Sequence, residues 1–321
     1  MGLIARLFHT GQTADPPDLQ AAIERAVYLV EPRLKLAGGF PARYRKPVAH
    51  ALAYCRSLAA QVPGPIVVDR KSYASDPLVH ALFPSLHEVR AAMCISQAMR
   101  DFHKSFPAAV EVYALMGMRR QEKKMFGMEM QGETLKRDVS QHLVYFSDHT
   151  LADPAPTEAE ARERVMWGLF DSLMAHVTRR VAARQQERAA LEQEKDELLA
   201  RMRGASAATR AELEPRWQEL LVRLQAIHQE LDLRQYGEDF DAVLLQPEAH
   251  LYLQQTAMYL DNMGIHRGES SGESSGEKLQ FCDLIGRDRR AWTVVMVHCS
   301  NLQSDATLSE RLETGQRWLG G

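Results

Sequence analysis

Cysteine is scarce in this chain: four among 321 residues, at positions 55, 94, 282 and 299, with no Cys-x-x-Cys pair. That is too sparse for a disulfide scaffold and gives no zinc-ligand spacing, so Cys55, Cys94, Cys282 and Cys299 are expected to be reduced, buried thiols. Long apolar runs are missing too. No stretch approaches the ~20 residues that span a bilayer, and Arg6 interrupts an N-terminal run already shorter than a secretion signal's apolar region. Gly2 stands where a myristoylated glycine would, but position 6 is Arg where that motif wants Ser or Thr. Neither sign of charge dominates: 39 Lys plus Arg oppose 42 Asp plus Glu, a net charge of −3, so no global basic field advertises nucleic acid. There is no G-x-x-x-x-G-K-[ST] loop, no strand-anchored G-x-G-x-x-G, no His-Glu-x-x-His and no EF-hand spacing. These absences lead to the expectation of a cytoplasmic chain with no membrane span, no cofactor and no metal.

What is present is the composition of a globular protein, 45% hydrophobic and 25% charged, long enough for about two structural units. Residues 1–108 read as a helical region. Asp15-Pro-Pro-Asp18 is a helix start, and Leu19, Ile23, Ala26, Val27 and Val30 recur on one helical face. Val48, Leu52, Cys55 and Leu58 mark a second helix, which Val62-Pro-Gly-Pro65 ends, and a third runs from about Ser85 to Phe102. From Ala109 to Leu151 the pattern turns to strands, with Arg119–Lys124 as a polar turn, though a helix over Val110–Met118 also fits. Leu143-Val144-Tyr145-Phe146 reads as a strand covered on both faces. After Pro247, Leu251–Leu253, Met258–Leu260, Lys278–Ile285 and Trp292–Cys299 read as strands again.

Between the two strand sets lies the most legible segment. Thr157-Glu-Ala-Glu160 is a capping box opening a helix that runs to Gly204. Past Gly204-Ala-Ser-Ala-Ala208, the positions Leu213, Trp217, Leu220, Leu224, Ile227 and Leu231 are all apolar in alternating steps of four and three, the repeat of a coiled-coil seam. The fold expected is therefore α+β: an N-terminal helical region (1–108), a discontinuous antiparallel β-sheet (109–156 plus 247–302) interrupted by a long antiparallel coiled-coil helical hairpin (157–246), and a C-terminal tail (303–321) with a short helix at Leu308–Trp318.

Candidate functional residues fall into three sets. The hairpin, centred on Leu191, Leu198, Trp217, Leu224 and Ile227, is expected to mediate self-association or docking of a protein partner, because an arm that adds little to a compact core implies something to hold. Asp148 and His149, with His298, are the weaker catalytic candidates, since His titrates near neutrality and a carboxylate beside it can do acid–base work. Arg119 and Arg120 in one turn and Arg287, Arg289 and Arg290 in another would form an anion-binding patch, for phosphate or nucleic acid, if both turns met at one sheet end. Nucleic acid is disfavoured by the charge balance. The doubled Gly-Glu-Ser-Ser-Gly string at 268–276 matches G-x-S-x-G, but without apolar flanks it reads as a flexible linker rather than a nucleophile elbow.

Overall fold

The computed structural model describes residues 17–36, 38–131, 134–230, 233–267, 276–286 and 290–300. Leu231, most of the 268–276 repeat, Arg287, Arg289 and the expected tail helix lie outside them. The architecture is mixed helix and antiparallel sheet with a long hairpin helix. The chain gathers into two compact units, one from residues 1–54 and 170–250, the other from 55–169 and 251–321. Two of the three boundaries fall inside helices and the third at the start of a strand.

The first unit is helical. Helix α1 (Pro17–Val30) begins at the expected proline, and a 3-10 turn (Pro32–Leu36) follows. Helix α2 (Ala42–Gln61) starts here. Ile23, Ala26, Val27 and Val30 are buried along the stripe the spacing predicts, while Leu19 is only half-buried, and Leu34, Tyr44, Val48, Phe170, Met174 and Val177 are buried in the same unit. Arg25 pairs with Asp171, and the Thr178 hydroxyl donates to the Leu29 carbonyl, tying α1 to the long helix α7 (Glu158–Arg203).

The second unit is built on the sheet. Its small strand β1 (Ile66–Val67) is followed by short helices α3 (Arg70–Ser75), α4 (Pro77–Leu82), α5 (Leu86–Arg90) and α6 (Gln97–Ser105). The single helix expected over 85–102 is broken. A π-turn occupies Ala91–Ile95, and the Ser96 hydroxyl accepts from the Met99 N–H to start a fresh helix. Strands β2 (Glu111–Gln131), β3 (Thr134–Ala155), β4 (Leu251–Leu260), β5 (Glu277–Gly286) and β6 (Ala291–Ser300) lie in the order β3-β2-β6-β5-β4, with β1 parallel to β6. The pairing of β2 with β6 joins segments on either side of the helical insertion into one sheet, as expected. Ile265 bridges Leu143 and His266 bridges Leu260, so residues 265–266 connect the two outer strands of that path. Val112, Ala114, Met116 and Met118 of β2, Val295, Val297 and Cys299 of β6, Phe146 of β3 and Phe281 of β5 share one core with Val79, Phe83 and Phe102 of the helical segment.

Two expected breaks are absent. Val110–Met118 is not helical, and Arg119–Lys124 is not a turn: β2 runs through it unbroken, paired to β3. Beyond Met118 the β2–β3 pair is a ribbon in which Glu122, Lys123 and Lys124 are all exposed, so charged side chains sit in a strand without burial cost. Likewise polar Gln254–Thr256 continues β4 instead of dividing it. In α7, the Arg162 guanidinium takes the Ala59, Val62 and Gly64 carbonyls at 2.8–3.0 Å and so satisfies the C-terminal end of α2.

Candidate functional site

Strand β3 carries Asp148 and His149 in its interior rather than in a strand-end loop. Three times along the ribbon one β2 residue lies opposite two on β3: between Tyr113 and Leu115, Gly117 and Arg119, and Gly127 and Glu129. Each extra residue makes a β-bulge, and each bulge holds an aspartate at positive φ: Asp153 (56°), Asp148 (56°) and Asp138 (59°). Aspartate tolerates that left-handed region better than most residues. The bulge at Asp148 turns the two candidate side chains apart. Asp148 is exposed, 4.0 Å from Arg119. His149 points inward, stacks on Phe83 (centroids 4.8 Å, planes 12° apart) and donates from Nε2 to the Leu82 carbonyl at 2.7 Å.

His298 does not join them. It pairs with Tyr113, five residues back along β2 from Met118, and stacks on that ring at 4.4 Å. Five residues of strand are roughly 17 Å. Its Nε2 lies 3.9 Å from Glu111. The three catalytic candidates therefore form no acid–base constellation.

Beside Asp148 and His149 is a groove of about 540 Å³, walled by Pro84, Glu88, Ala92 and Ser96 on one side and Tyr145–His149 on the other. A second cavity of about 310 Å³ shares Pro84, Tyr145 and Phe146 with it and continues past His80 to Asp261 and Glu277. Asp261 shapes that end. Its carboxylate accepts the Met263 and Ile265 N–H groups at 2.9 Å and binds Arg267 at 2.8 Å, while His80 contacts the Asn262 carbonyl at 3.2 Å. The sequence reading missed this turn, although Asp261-Asn-Met-Gly264 carries a turn signature.

The arginines divide by role. Arg119 lies over the Trp292 ring at 5.4 Å. Arg120 is 3.0 Å from Asp283, a carboxylate only 5% exposed that also accepts the Thr293 hydroxyl at 2.6 Å. Arg120 is therefore held in the sheet as a counter-ion. Arg290 also makes contacts, and Arg287 and Arg289 lie outside the described residues. The buried Asp283–Thr293–Arg120 cluster was not anticipated, because alternation shows which face a residue takes but not which buried polar groups meet.

The hairpin is as drawn from sequence. Helix α8 (Ala207–Glu230) returns along α7, and Arg216–Glu194 and Arg223–Glu187 pairs are spaced equally about Ala205. Leu191, Leu198, Leu220, Leu224 and Ile227 are buried between the two helices, with Met202, Leu213 and Trp217 packed partly against them. The predicted docking residues thus form the hairpin's internal seam, and a partner would meet its outer surface, where Leu221 and Val222 are exposed. Helix α9 (Leu233–Leu244) follows, and its Asp239, 4% exposed, binds Arg180 and Arg184 of α7.

Buried thiols complete the inventory. Burial pushes the Cys55 thiol up to about 12 and raises that of Cys282, leaving both as poor nucleophiles. Among the described residues no group of three His, Cys, Asp or Glu side chains is arranged to hold a metal ion, and no helix is long and apolar enough to cross a membrane. Compared with protein-family models, curated proteins and solved structures, the chain matches none.

Proposed function

We propose that this protein is an interaction component, a scaffold or adaptor whose α7–α8 hairpin docks a protein partner, with no catalysis of its own. The observation that carries this reading is the self-contained seam. Five side chains close it within the hairpin, so the arm holds its shape without a partner, while Leu221 and Val222, consecutive in α8, remain on its exterior, 37% and 67% exposed. Adjacent apolar side chains on a charged helical surface are where a partner gains most from excluding water. The alternative, a ligand module at the Asp148/His149 groove, has a volume in its favour. Against it, His149 is committed to Leu82 and Asp148 faces Arg119, so the polar groups do not converge on a bound molecule.

The test is affinity recovery from the source cells' lysate with three baits. One is the full chain. The second has residues 188–222 replaced by a short Gly-Ser link, which reconnects the helices where Glu187 and Arg223 are 3.7 Å apart. The third is Leu221→Glu/Val222→Glu. The expected result is a protein retained by the full chain and lost from both variants while their circular dichroism remains native-like. Equal recovery by all three would overturn the docking role.

A further inference from the structure

The β2 edge supplies an inference independent of the hairpin. Beyond Met118, which pairs with Thr293, β2 has no strand on its β6 side among the described residues, yet it continues to Gln131. Proteins commonly blunt such edges with bulges. Here all three bulges put the extra residue on β3, leaving β2 regular from Arg119 to Gly127. The backbone direction is fixed as well. The Val144 N–H donates to Gly264 and the His142 carbonyl accepts from His266, both away from β2. Val144 and His142 pair with Glu122 and Lys124, so these are wide pairs, and the N–H and C=O groups of Glu122, Lys124 and Phe126 point out from the ribbon, while the Met128 carbonyl accepts the Gln141 side-chain amide at 3.2 Å. Along the same edge Phe126 is 76% and Met128 60% exposed.

We propose that this edge is a homotypic interface. Two copies of the chain pair antiparallel along Gln121–Gln131, with Phe126 opposite Phe126 of the second copy, and the two ribbons become one four-stranded sheet about a two-fold axis. Charge selects the register. With Phe126 at the centre, Lys123 falls opposite Glu129 of the second copy, twice by symmetry, and Lys124 lies opposite Met128. Centring on Lys123 or Lys124 sets like ammonium groups face to face, and centring on Met125 or Gly127 leaves the charges unmatched.

The test is sedimentation equilibrium of the full chain and of charge reversals at Lys123 and Glu129, with circular dichroism to confirm the fold. The wild-type chain dimerises at micromolar concentrations. Lys123→Glu and Glu129→Lys each weaken the dimer by about tenfold or more, on the order of 1.4 kcal/mol. An equimolar mixture of the two variants regains it as a heterodimer, because each Lys then meets a Glu again, and the double variant regains it alone. A wild-type chain that stays monomeric up to about 100 μM, a concentration well above that at which a micromolar dimer forms, overturns the proposal. So does a dimer indifferent to both reversals, or one that mixing fails to restore.

Discussion

At the scale of single residues, backbone conformation makes the sharpest demands. Gly264 has φ +74°, and a Cβ there would lie 2.6 Å from the Val144 carbonyl oxygen. Gly264→Ala is expected to destabilise the sheet unit by about 1–3 kcal/mol, through left-handed strain and the displaced contact. Gly204, in the hairpin turn, has nothing within 4 Å of such a Cβ, and Gly204→Ala is expected to be neutral or slightly stabilising. Urea midpoints of the two variants, measured side by side, check the contrast. Asp138 makes a parallel case at its bulge: Asp138→Gly should be tolerated, whereas Asp138→Val should cost roughly 1–2 kcal/mol, the ordinary penalty of a left-handed backbone with a branched Cβ. None of this was legible beforehand. Nothing in the sequence marks Asp138, Asp148 or Asp153 as bulge positions, because a bulge is set by mismatch with the partner strand and a single strand's sequence does not contain its partner.

At the scale of elements, caps and seams were legible where the signal is local. Thr157 accepts the Glu160 N–H at 3.3 Å, as its capping box predicts. Arg184, a charge on the long helix α7, has a partner only the fold reveals: Asp239, which arrives from α9. Asp239→Leu is expected to cost on the order of 2–4 kcal/mol in chemical denaturation, because it removes the buried carboxylate that Arg180 and Arg184 share. Arg184→Met in the same background should recover much of that loss. A reading that passed from α2 to a helix at Ser85 missed α3 and α4, although Asp69-x-x-Ser72 and Asp76-Pro77 are start signals of the same kind. The Ser72 N–H hydrogen bond holds the Asp69 carboxyl below its ordinary range. Because the folded value is the lower one, this stabilisation is present above the unfolded value near pH 4 and is lost as pH falls through the folded value. Asp69→Ala should therefore cost about 1 kcal/mol at neutral pH, with the difference from wild type shrinking toward pH 3 in denaturation curves taken across that range.

At the scale of the whole molecule, both compact units are discontinuous in sequence. The sheet is completed only when β2 pairs with β6 across the helical insertion, and the hairpin's seam and Asp239 bind the two arms of the other unit. The alternation of Thr293, Val295, Val297 and Cys299 against Trp292, Val294, Met296 and His298 sets the face each residue of β6 takes. It could not name the neighbouring strand, since long-range pairing follows from shape and register together. One cut tests this arrangement. A protease site inserted between Gly204 and Ala205 lies in the hairpin turn, away from every strand pairing and from the seam. After cleavage, residues 1–204 and 205–321 should still elute together at the size of the intact chain, held by β2–β6 pairing and by the Leu191, Leu198, Leu220 and Leu224 contacts. Their stability should become concentration-dependent, since folding is now a bimolecular event. Separated in denaturant, the 1–204 fragment lacks β4, β5 and β6, and the 205–321 fragment lacks β2 and β3, so neither should regain native circular dichroism until the other is added. Fragments that part without denaturant would show that the pairing across the insertion is too weak to hold the sheet together.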